Sequence, residues 1–340
     1  MRHINIPIFI PHLGCPNMCV FCNQRSISGV GDFCADSVIE IIDDHLKTVT
    51  EDDWVEIAFF GGSFTGIDRN LMIRLLEIAY EYIKRGSVHS VRCSTRPDYI
   101  DKEVLSVLSC YGVKVIELGI QSASEEVLKV TKRGHTINDT KRALDLVVKH
   151  GFSLVGQMMI GLPGATLESE IATADLIINA GAKGARIYPT VVFKGTELTD
   201  MTKKGEYAPL SVDEAADRSA VVLARFVNAG VPVIRIGLCS NENLASEQTY
   251  FAGPNHPAIG ELTINKLYYN LITEKASEMR LSKSNSLLVY VSRGSLSKAI
   301  GQHSVNKTLL KEKLGVKKIG FVESDSLIGY NIKLQTETGE

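Results

Sequence analysis

The sequence has no apolar run that approaches the length of a membrane span, and this absence excludes a helical membrane protein. It also has no repeat of fixed period and no low-complexity tract, which excludes solenoid and disordered classes. The net charge of −2 gives the chain as a whole no general attraction for nucleic acid. What remains is a globular chain of 340 residues, long enough for one large domain and a small one.

No secretory leader precedes the first apolar run, so we expect a cytoplasmic protein in a reducing compartment. The seven cysteines are an odd number, and three of them lie in one short segment. We interpret the remaining four as small, buried hydrophobic residues: Cys34, Cys93, Cys110 and Cys239.

The clustered cysteines are Cys15, Cys19 and Cys22, at the spacing C-x3-C-x2-C directly after a strand-like apolar run. Three thiolates within eight residues can reach one soft metal centre, which suits zinc or an iron–sulfur cluster. A structural zinc ion takes a fourth protein ligand, for which His12 and Cys34 are the nearest candidates. A [4Fe–4S] cluster held by three cysteines instead leaves one iron open to a small molecule. A zinc knuckle and plain buried thiols are the alternatives, and the motifs described below favour the cluster.

Strand-like and helix-like segments alternate to about residue 236, which is the pattern of parallel βα units. We predict six core strands and a possible seventh, with polar motifs at the carboxyl ends of the strands, where barrel active sites lie. The predicted fold is α/β, a partial (β/α)6 barrel with a small C-terminal α+β domain. We place the barrel at residues 1–252, a linking segment at 253–285 and the small domain at 286–340, with the polar stretch 282–286 as linker.

Polar motifs follow several of the predicted strands. Gly61, Gly62 and Ser63 end the second strand, where glycines let backbone groups approach a ligand closely. Arg96 follows the third strand, and it either holds an anionic group in the barrel mouth or pairs with Asp98 to brace the turn.

Three side chains near the end of the sixth predicted strand could face a substrate in the barrel mouth: Tyr188, Lys194 and Glu197. A purely structural role for each of them is the alternative. His256, in the turn Gly-Pro-Asn-His-Pro, is a candidate proton donor or substrate contact, and an exposed turn histidine without a role is the alternative.

The pattern C-x3-C-x-aromatic-C after a first strand resembles the signature of radical S-adenosylmethionine (SAM) enzymes. The resemblance implies that the three cysteines hold a [4Fe–4S] cluster, that SAM chelates its open iron, and that Phe21 lies near the adenine. It also implies one-electron cleavage of SAM to methionine and a 5′-deoxyadenosyl radical, which takes hydrogen from a substrate.

Further motifs resemble the SAM-binding set of this superfamily. The turn Gly61-Gly62-Ser63 resembles the glycine-rich turn that binds the SAM amino group. Gln121 and Arg133, twelve residues apart, resemble a pair that contacts the ribose and carboxylate of SAM in the coproporphyrinogen-oxidase-like branch. Gln157 stands where related enzymes often carry an aspartate that contacts the ribose, and we keep it among the candidate SAM residues.

A longer resemblance extends over residues 4–240. It is carried by STRPDYI, ELGIQS, KRGHT, GLPGATLE, RIYPTVVFKGTEL and VIRIG, which are similar to the radical SAM domain of the Elongator catalytic subunit. That family modifies the wobble uridine of tRNA. Nothing after residue 240 resembles its acetyl-CoA loop, and its basic N-terminal extension has no counterpart here. We therefore expect SAM cleavage, whereas the resemblance does not extend to the part of that family that supports carboxymethylation.

The C-terminal segment is basic. Between Arg293 and Lys318 there are seven lysines and arginines and one acid, and the segment AIGQHSVNKTLL resembles a KH-type module whose GXXG loop clamps nucleic-acid backbone. Ser304 replaces the second glycine of that loop. The candidate RNA-binding residues are Lys298, Lys307, Lys311 and Lys313. A small structural cap with a solvated lysine face is the alternative.

Taken together, these features predict a radical SAM enzyme that acts on RNA, either tRNA or ribosomal RNA, and takes electrons from a flavodoxin or ferredoxin. One alternative is a small-molecule enzyme similar to the coproporphyrinogen oxidase branch. The other is a non-catalytic RNA-binding iron–sulfur protein, which would not need the SAM-binding set.

Overall fold

A computed structural model describes residues 2–10, 13–15, 19–23, 33–35, 37–238, 248–279 and 286–337. The strands in this part of the chain are β1 His3–Ile10, β2 Trp54–Gly61, β3 Ser90–Thr95, β4 Val113–Gln121, β5 Ser153–Ile160, β6 Gly184–Pro189, β7 Val192–Phe193, β8 Val233–Ile236, β9 Tyr250–Ala252, β10 Ser286–Ser292, β11 Lys318–Ser324 and β12 Ile332–Glu337. The α-helices are α1 Ser37–Leu46, α2 Arg69–Lys84, α3 Lys102–Cys110, α4 Glu125–Val130, α5 Ile137–Lys149, α6 Leu167–Asn179, α7 Glu197–Lys203, α8 Val212–Asn228, α9 Ile259–Glu278, α10 Leu296–Ile300 and α11 Val305–Leu314.

The chain forms two compact units, residues 1–209 with 231–255 and residues 210–230 with 256–340. The division at residues 252 and 285 stays a prediction. Within the segment expected to link two domains, residues 259–278 form the long helix α9, which packs on α8 in the second unit. Of the proposed linker, residues 282–285 lie outside the described part, and Ser286 begins β10.

The first unit is built on one seven-stranded sheet in the order β1-β2-β3-β4-β5-β6-β8. Every neighbouring pair is parallel, and the strands follow one another in chain order, so the sheet curls into a half-barrel. The α/β class, the six core strands and the seventh are confirmed. The alternation of apolar strands with capped helices predicted this topology because successive parallel strands need a helical crossover.

The two faces of this sheet differ in chemistry. Gly156 of β5 lies against Ile177 of α6, where an added Cβ would come within 2.6 Å of the isoleucine side chain. The face of the sheet on which Gly156 lies is therefore the outer face, which the helices cover. Gln157, the next residue, lies on the opposite side of the pleat. We call that side the inner face of the half-barrel.

Three elements of the first unit and one strand of the second were not predicted from the sequence. The two-residue strand β7 pairs antiparallel with β9, and the short helix α7 begins directly after β7. Thr196 caps α7, since its side chain accepts a hydrogen bond from the Thr199 amide. In the second unit, β12 pairs antiparallel with β10.

The second unit carries α8, α9 and a three-stranded sheet in the order β11-β10-β12. The helices α10 and α11 connect the parallel strands β10 and β11, as the predicted strand–helix–loop–helix–strand order requires. Tyr268 and Ile272 of α9, both fully buried, pack in one core with Leu287 and Val289 of β10. The resemblance of this unit to a KH module remains a prediction.

The cysteines outside the turn correct one expectation. Cys93 is buried in β3 as expected, whereas Cys34 and Cys110 are exposed. Cys110 is exposed because it is the last residue of α3 and lies on the solvent side of that helix. Cys239 lies outside the described residues. None of the helices described here has the length and apolar character needed to cross a membrane.

Candidate active site at the carboxyl ends of the strands

The cysteine turn is fixed to the first unit through Val20. The Val20 amide donates to the Thr131 carbonyl at 3.2 Å, and the Val20 carbonyl accepts from the Leu198 amide at 2.8 Å. Its side chain is buried with Val192, Leu198 and Tyr207, and Phe21 packs on the same cluster. The Cys22 amide donates to the Cys19 carbonyl at 3.0 Å, which closes the turn. Thus β7 and α7, in the stretch predicted to face substrate, anchor the turn.

The glycine-rich end of β2 holds the other side of this segment. Amides of Gly62 and Ser63 donate to the carbonyls of Ile10 and Leu13, at 2.9 and 3.3 Å. A Cβ on Gly62 would lie 2.1 Å from the Leu13 carbonyl oxygen, so no larger residue fits. Glycine is therefore required at position 62 because the backbone that leads into Cys15 passes very close to it. A contact with the SAM amino group stays a prediction.

Ser63, predicted to bind SAM, is fully buried and engaged in a chain of hydroxyls. Its Oγ lies 2.7 Å from Thr95 Oγ1, which is 2.6 Å from Thr65 Oγ1. The Arg96 amide donates to the same Ser63 Oγ at 3.2 Å. The hydroxyl therefore ties the end of β2 to the end of β3.

Two guanidinium groups lie beside the cysteines. Arg133 Nη1 lies 3.3 Å from Cys19 Sγ, and Arg133 Nη2 donates to the Gly119 carbonyl at 2.7 Å. Arg96 makes a two-point ion pair with the Asp98 carboxylate at 2.9 Å and donates to the Arg133 carbonyl. Of the two roles weighed for Arg96, the structure contains the brace with Asp98.

These charges act on the thiol of Cys15. Burial raises the pKa of Cys15, and the positive charges of Arg133 and Arg96 act in the opposite direction. A thiolate beside a guanidinium is favoured over one in apolar surroundings, and thiolates are the ligands that soft metal centres and iron–sulfur clusters require.

Several buried polar atoms next to these groups have no hydrogen-bond partner within the part of the chain that the structure describes. They are Gln121 Oε1, Arg96 Nη1 and both ring nitrogens of His135. Gln121 also has a backbone φ of 66°, a conformation rare for a residue with a side chain. Burial and the charge of Arg133 lower the pKa of His135 to about 4, so the ring is neutral. Unsatisfied polar atoms of this kind are costly and suit a polar ligand.

The three cysteines do not form a closed metal site in the described residues, where no three His, Cys, Asp or Glu side chains meet. Residues 16–18, between Cys15 and Cys19, lie outside that part, as does His12, which with Cys34 was a candidate fourth ligand for the alternative zinc site. The donor set is nevertheless three thiols in one turn beside two guanidiniums and orphaned polar groups. These residues fit a cluster and a polar cofactor, and their roles as ligands stay predictions.

A charged network covers the inner face. Arg92 of β3 contacts Glu56 of β2 at 2.5 Å and Glu117 of β4 at 2.9 Å. The Glu117 carboxylate also accepts from Arg186 at 3.0 Å and from Gln157 at 2.8 Å. Gln157 is therefore committed to Glu117 and, at 3.3 Å, to Ser94 Oγ, which leaves its own carbonyl oxygen as an acceptor.

The remaining predicted substrate residues are placed as follows. Tyr188 is half-buried on the inner face, beside Arg186. Glu197 forms an exposed ion pair with Lys132 at 2.6 Å, and the Lys194 carbonyl accepts from Asn23. In the second unit, His256 Nδ1 accepts from the Ala258 amide at 3.1 Å just before α9 begins. This contact gives His256 a structural role, and its catalytic role stays a prediction.

In the second unit, the candidate RNA-binding lysines lie on α10 and α11, the two helices joined by the loop that contains His303 and Ser304. Lys307, Lys311 and Lys313 of α11 are exposed, and Lys298 of α10 is half-buried. His303 and Ser304 have φ values of 51° and 62°, so the backbone is left-handed where a KH module has its second glycine. The buried Asn306 holds this loop, since its side chain donates to the carbonyls of Asn265 and Ala299. A cavity of about 450 Å³ nearby is lined by Arg293, Lys298 and Tyr330.

A half-barrel with three clustered cysteines above its strand ends is the architecture of the radical SAM enzymes. The model of the Radical SAM superfamily matches residues 9–177, and that of the Radical_SAM C-terminal domain matches residues 182–269. The chain belongs to the radical SAM superfamily and is an enzyme of that class. The superfamily implies a [4Fe–4S] cluster and SAM as cofactors.

Among its relatives, the chain is 33% identical over 192 residues to Elongator complex protein 3 of Homo sapiens, covering 51% of this chain and 35% of that protein. It is 36% identical over 126 residues to the tRNA uridine(34) acetyltransferase of Methanocaldococcus jannaschii, covering 36% of this chain and 23% of that protein. The chain thus spans about a third or less of these relatives.

The fold is similar to that of the solved Elp3 of Methanocaldococcus infernus, with a TM-score of 0.61 and 21% identity. The match covers 81% of this chain and 63% of that one. At this identity the comparison shows the fold alone.

Proposed function

We propose that this chain holds a [4Fe–4S] cluster through Cys15, Cys19 and Cys22, cleaves SAM reductively and acts on RNA, either tRNA or ribosomal RNA. When bound, the cluster supplies the electron that splits SAM into methionine and a 5′-deoxyadenosyl radical, which takes hydrogen from the substrate. The electron would come from a flavodoxin or ferredoxin. The contact of Arg133 with Cys19 carries the proposal, because it joins the cysteine turn to the strand end that bears Gln121.

The residues around the cysteines supply binding and positioning. Arg133, bound to Cys19 and to the end of β4, supplies a positive charge beside the cysteine turn that suits the carboxylate of SAM. The unpaired atoms of Gln121, Arg96 and His135 are available for polar groups of the cofactor. The charged side chains of the inner face, Glu56, Arg92, Glu117 and Arg186, are buried, and exclusion of water from such a site would protect a reactive radical from side reactions.

Two observations support RNA as the substrate class. The relatives that the chain matches include proteins named for Elongator and for acetylation of tRNA uridine 34. The second unit presents exposed lysines on α11 and a cavity lined by Arg293, Lys298 and Tyr330, a suitable surface for phosphates and a stacked base.

The experiment is the yield of 5′-deoxyadenosine from anaerobically reconstituted protein under reductant. Parallel reactions contain intact cellular RNA, the same RNA digested to nucleotides, and a low-molecular-weight cell extract. We expect a rise with intact RNA alone, and none from Cys19→Ala under any condition. A rise with the small-molecule extract alone would contradict the RNA assignment and favour a metabolite enzyme. No SAM cleavage in any reaction would contradict the catalytic proposal itself.

A further inference from the structure

The inner face of the half-barrel carries more positive than negative charge in the described residues. Its acids are Glu56 and Glu117, and its arginines are Arg92, Arg186 and Arg235. Arg92 bridges both glutamates, and Arg186 pairs with Glu117. Both acids are therefore already neutralised by two of the three arginines.

Arg235 is the arginine left over. It lies on β8 directly opposite Arg186 of β6 in the parallel register, so the two side chains share one face. A bulge at this position places Ile234 outside the regular pairing. Arg235 is only partly exposed, and no carboxylate among the residues described pairs with it. A guanidinium that is partly exposed and has no carboxylate partner is accessible to an anionic ligand.

Tyr188 adds a second donor next to Arg235. It lies two residues after Arg186 on the same face of β6, and the positive charges of Arg186 and Arg235 both act on its phenol. Because a guanidinium can only donate, neither arginine can accept the phenolic hydrogen, which stays available to an anion. Burial raises the pKa of Tyr188, so the phenol keeps this hydrogen at neutral pH.

We propose that Arg235 and Tyr188 form an oxyanion-binding subsite on the inner face of the half-barrel, for a carboxylate or phosphate group of the substrate. A planar guanidinium can bind two oxygens of such a group, and the phenol donates to a further lone pair. This proposal rests on the proposed function in one respect, namely that the bound anion is a group of the substrate. Arg186 is not counted in this subsite, because its charge is paired with Glu117.

The test measures anion binding without reductant, so it depends on neither SAM cleavage nor RNA. Reconstituted protein is titrated with inorganic phosphate, followed by ³¹P NMR line broadening, and separately with ¹³C-labelled acetate. We expect saturable binding of one of these anions, weakened at least about tenfold by Arg235→Met and several-fold by Tyr188→Phe. Arg142→Met, which removes an exposed arginine of α5, is the matched control and should bind as the wild type.

Preference for phosphate would identify a nucleic-acid or phosphorylated substrate, and preference for acetate a carboxylate substrate. Arg235→Lys keeps the charge but loses the two-point geometry, so it should retain weaker binding even if Arg235→Met fails to fold. Wild-type affinity in both Arg235 variants would overturn the proposal. So would the absence of saturable binding of either anion to the wild-type protein.

Discussion

Arg133 Nη1 lies 3.3 Å from Cys19 Sγ, although the two residues are 114 positions apart in the chain. The same guanidinium donates to the Gly119 carbonyl, just before Gln121. One buried side chain thus connects the cysteine turn with the carboxyl end of β4. A displacement of the cysteine turn should therefore also displace the end of β4, which carries the candidate SAM residue Gln121.

Replacing Arg133 by lysine should weaken this link. A lysine keeps one positive charge but cannot bond to the sulfur and the Gly119 carbonyl together. We expect SAM affinity, measured by equilibrium dialysis without reductant, to fall by about 2 kcal/mol, or roughly thirtyfold. Arg142→Lys on the surface of α5 is the control. Equal SAM affinity in both variants would exclude this role for Arg133.

Each of Cys15, Cys19 and Cys22 should be essential for the cluster. Alanine at any of the three removes one of three thiolate ligands, so iron content and visible absorbance after reconstitution should fall sharply. Cys110→Ala, at an exposed cysteine at the end of α3, should bind iron like the wild type. Full iron occupancy in Cys19→Ala would disprove the assigned ligand set.

Gly62→Ala should disrupt the approach of the cysteine segment to β2. Its Cβ would lie 2.1 Å from the Leu13 carbonyl, so the backbone before Cys15 must move. We expect a loss of roughly 3 kcal/mol in unfolding free energy and reduced cluster occupancy. Gly86→Ala has no atom within 4 Å of its Cβ and should cost only about 1 kcal/mol for its positive φ. Equal effects in chemical denaturation would refute the contact.

His135 should make the protein sensitive to acid. Its pKa is about 4 in the folded state and near 6.5 when unfolded, so the unfolded state binds the proton first as pH falls. Stability should decrease from about pH 6.5 and level off below pH 4, by about 2 kcal/mol between pH 6.5 and pH 5. His135→Gln should remove this part of the pH dependence in denaturant titrations. An unchanged pH profile in the variant would show that His135 titrates normally.

The exposed lysines of α11 should contribute to RNA affinity through phosphate contacts. Reversing Lys307, Lys311 and Lys313 to glutamate should weaken binding and reduce the slope of log affinity against log salt by about 2. The control is the triple reversal of Lys102, Lys141 and Lys149, which are exposed on helices of the first unit. If both triples change the slope equally, α11 has no special role.

The sequence predicted the half-barrel well because each core strand is a short apolar run between capped helices. It also grouped Cys15, Cys19 and Cys22, since short spacing alone brings them together. The anchoring of Val20 to Thr131 and Leu198 could not be predicted, because it depends on how three distant turns pack. Lys194 and Glu197, expected near substrate, lie in the segment that supports this turn.

The inner-face network was missed for a related reason. Glu56, Arg92, Glu117 and Arg186 each interrupt an apolar strand, and this recurrence was a visible signal. Which of them pair depends on the register between strands, which the sequence alone does not give. The same limit applies to Arg235, whose lack of a carboxylate partner is a property of the described structure.

The most direct test of the account asks where the hydrogen in 5′-deoxyadenosine comes from. Cellular RNA is prepared in fully deuterated form and incubated with the reconstituted protein, SAM and reductant in ordinary water. Mass spectrometry of the 5′-deoxyadenosine should then show one deuterium, because the radical takes hydrogen from a carbon of the RNA. If 5′-deoxyadenosine forms but carries no deuterium, the RNA is not the hydrogen donor, and the central proposal is contradicted.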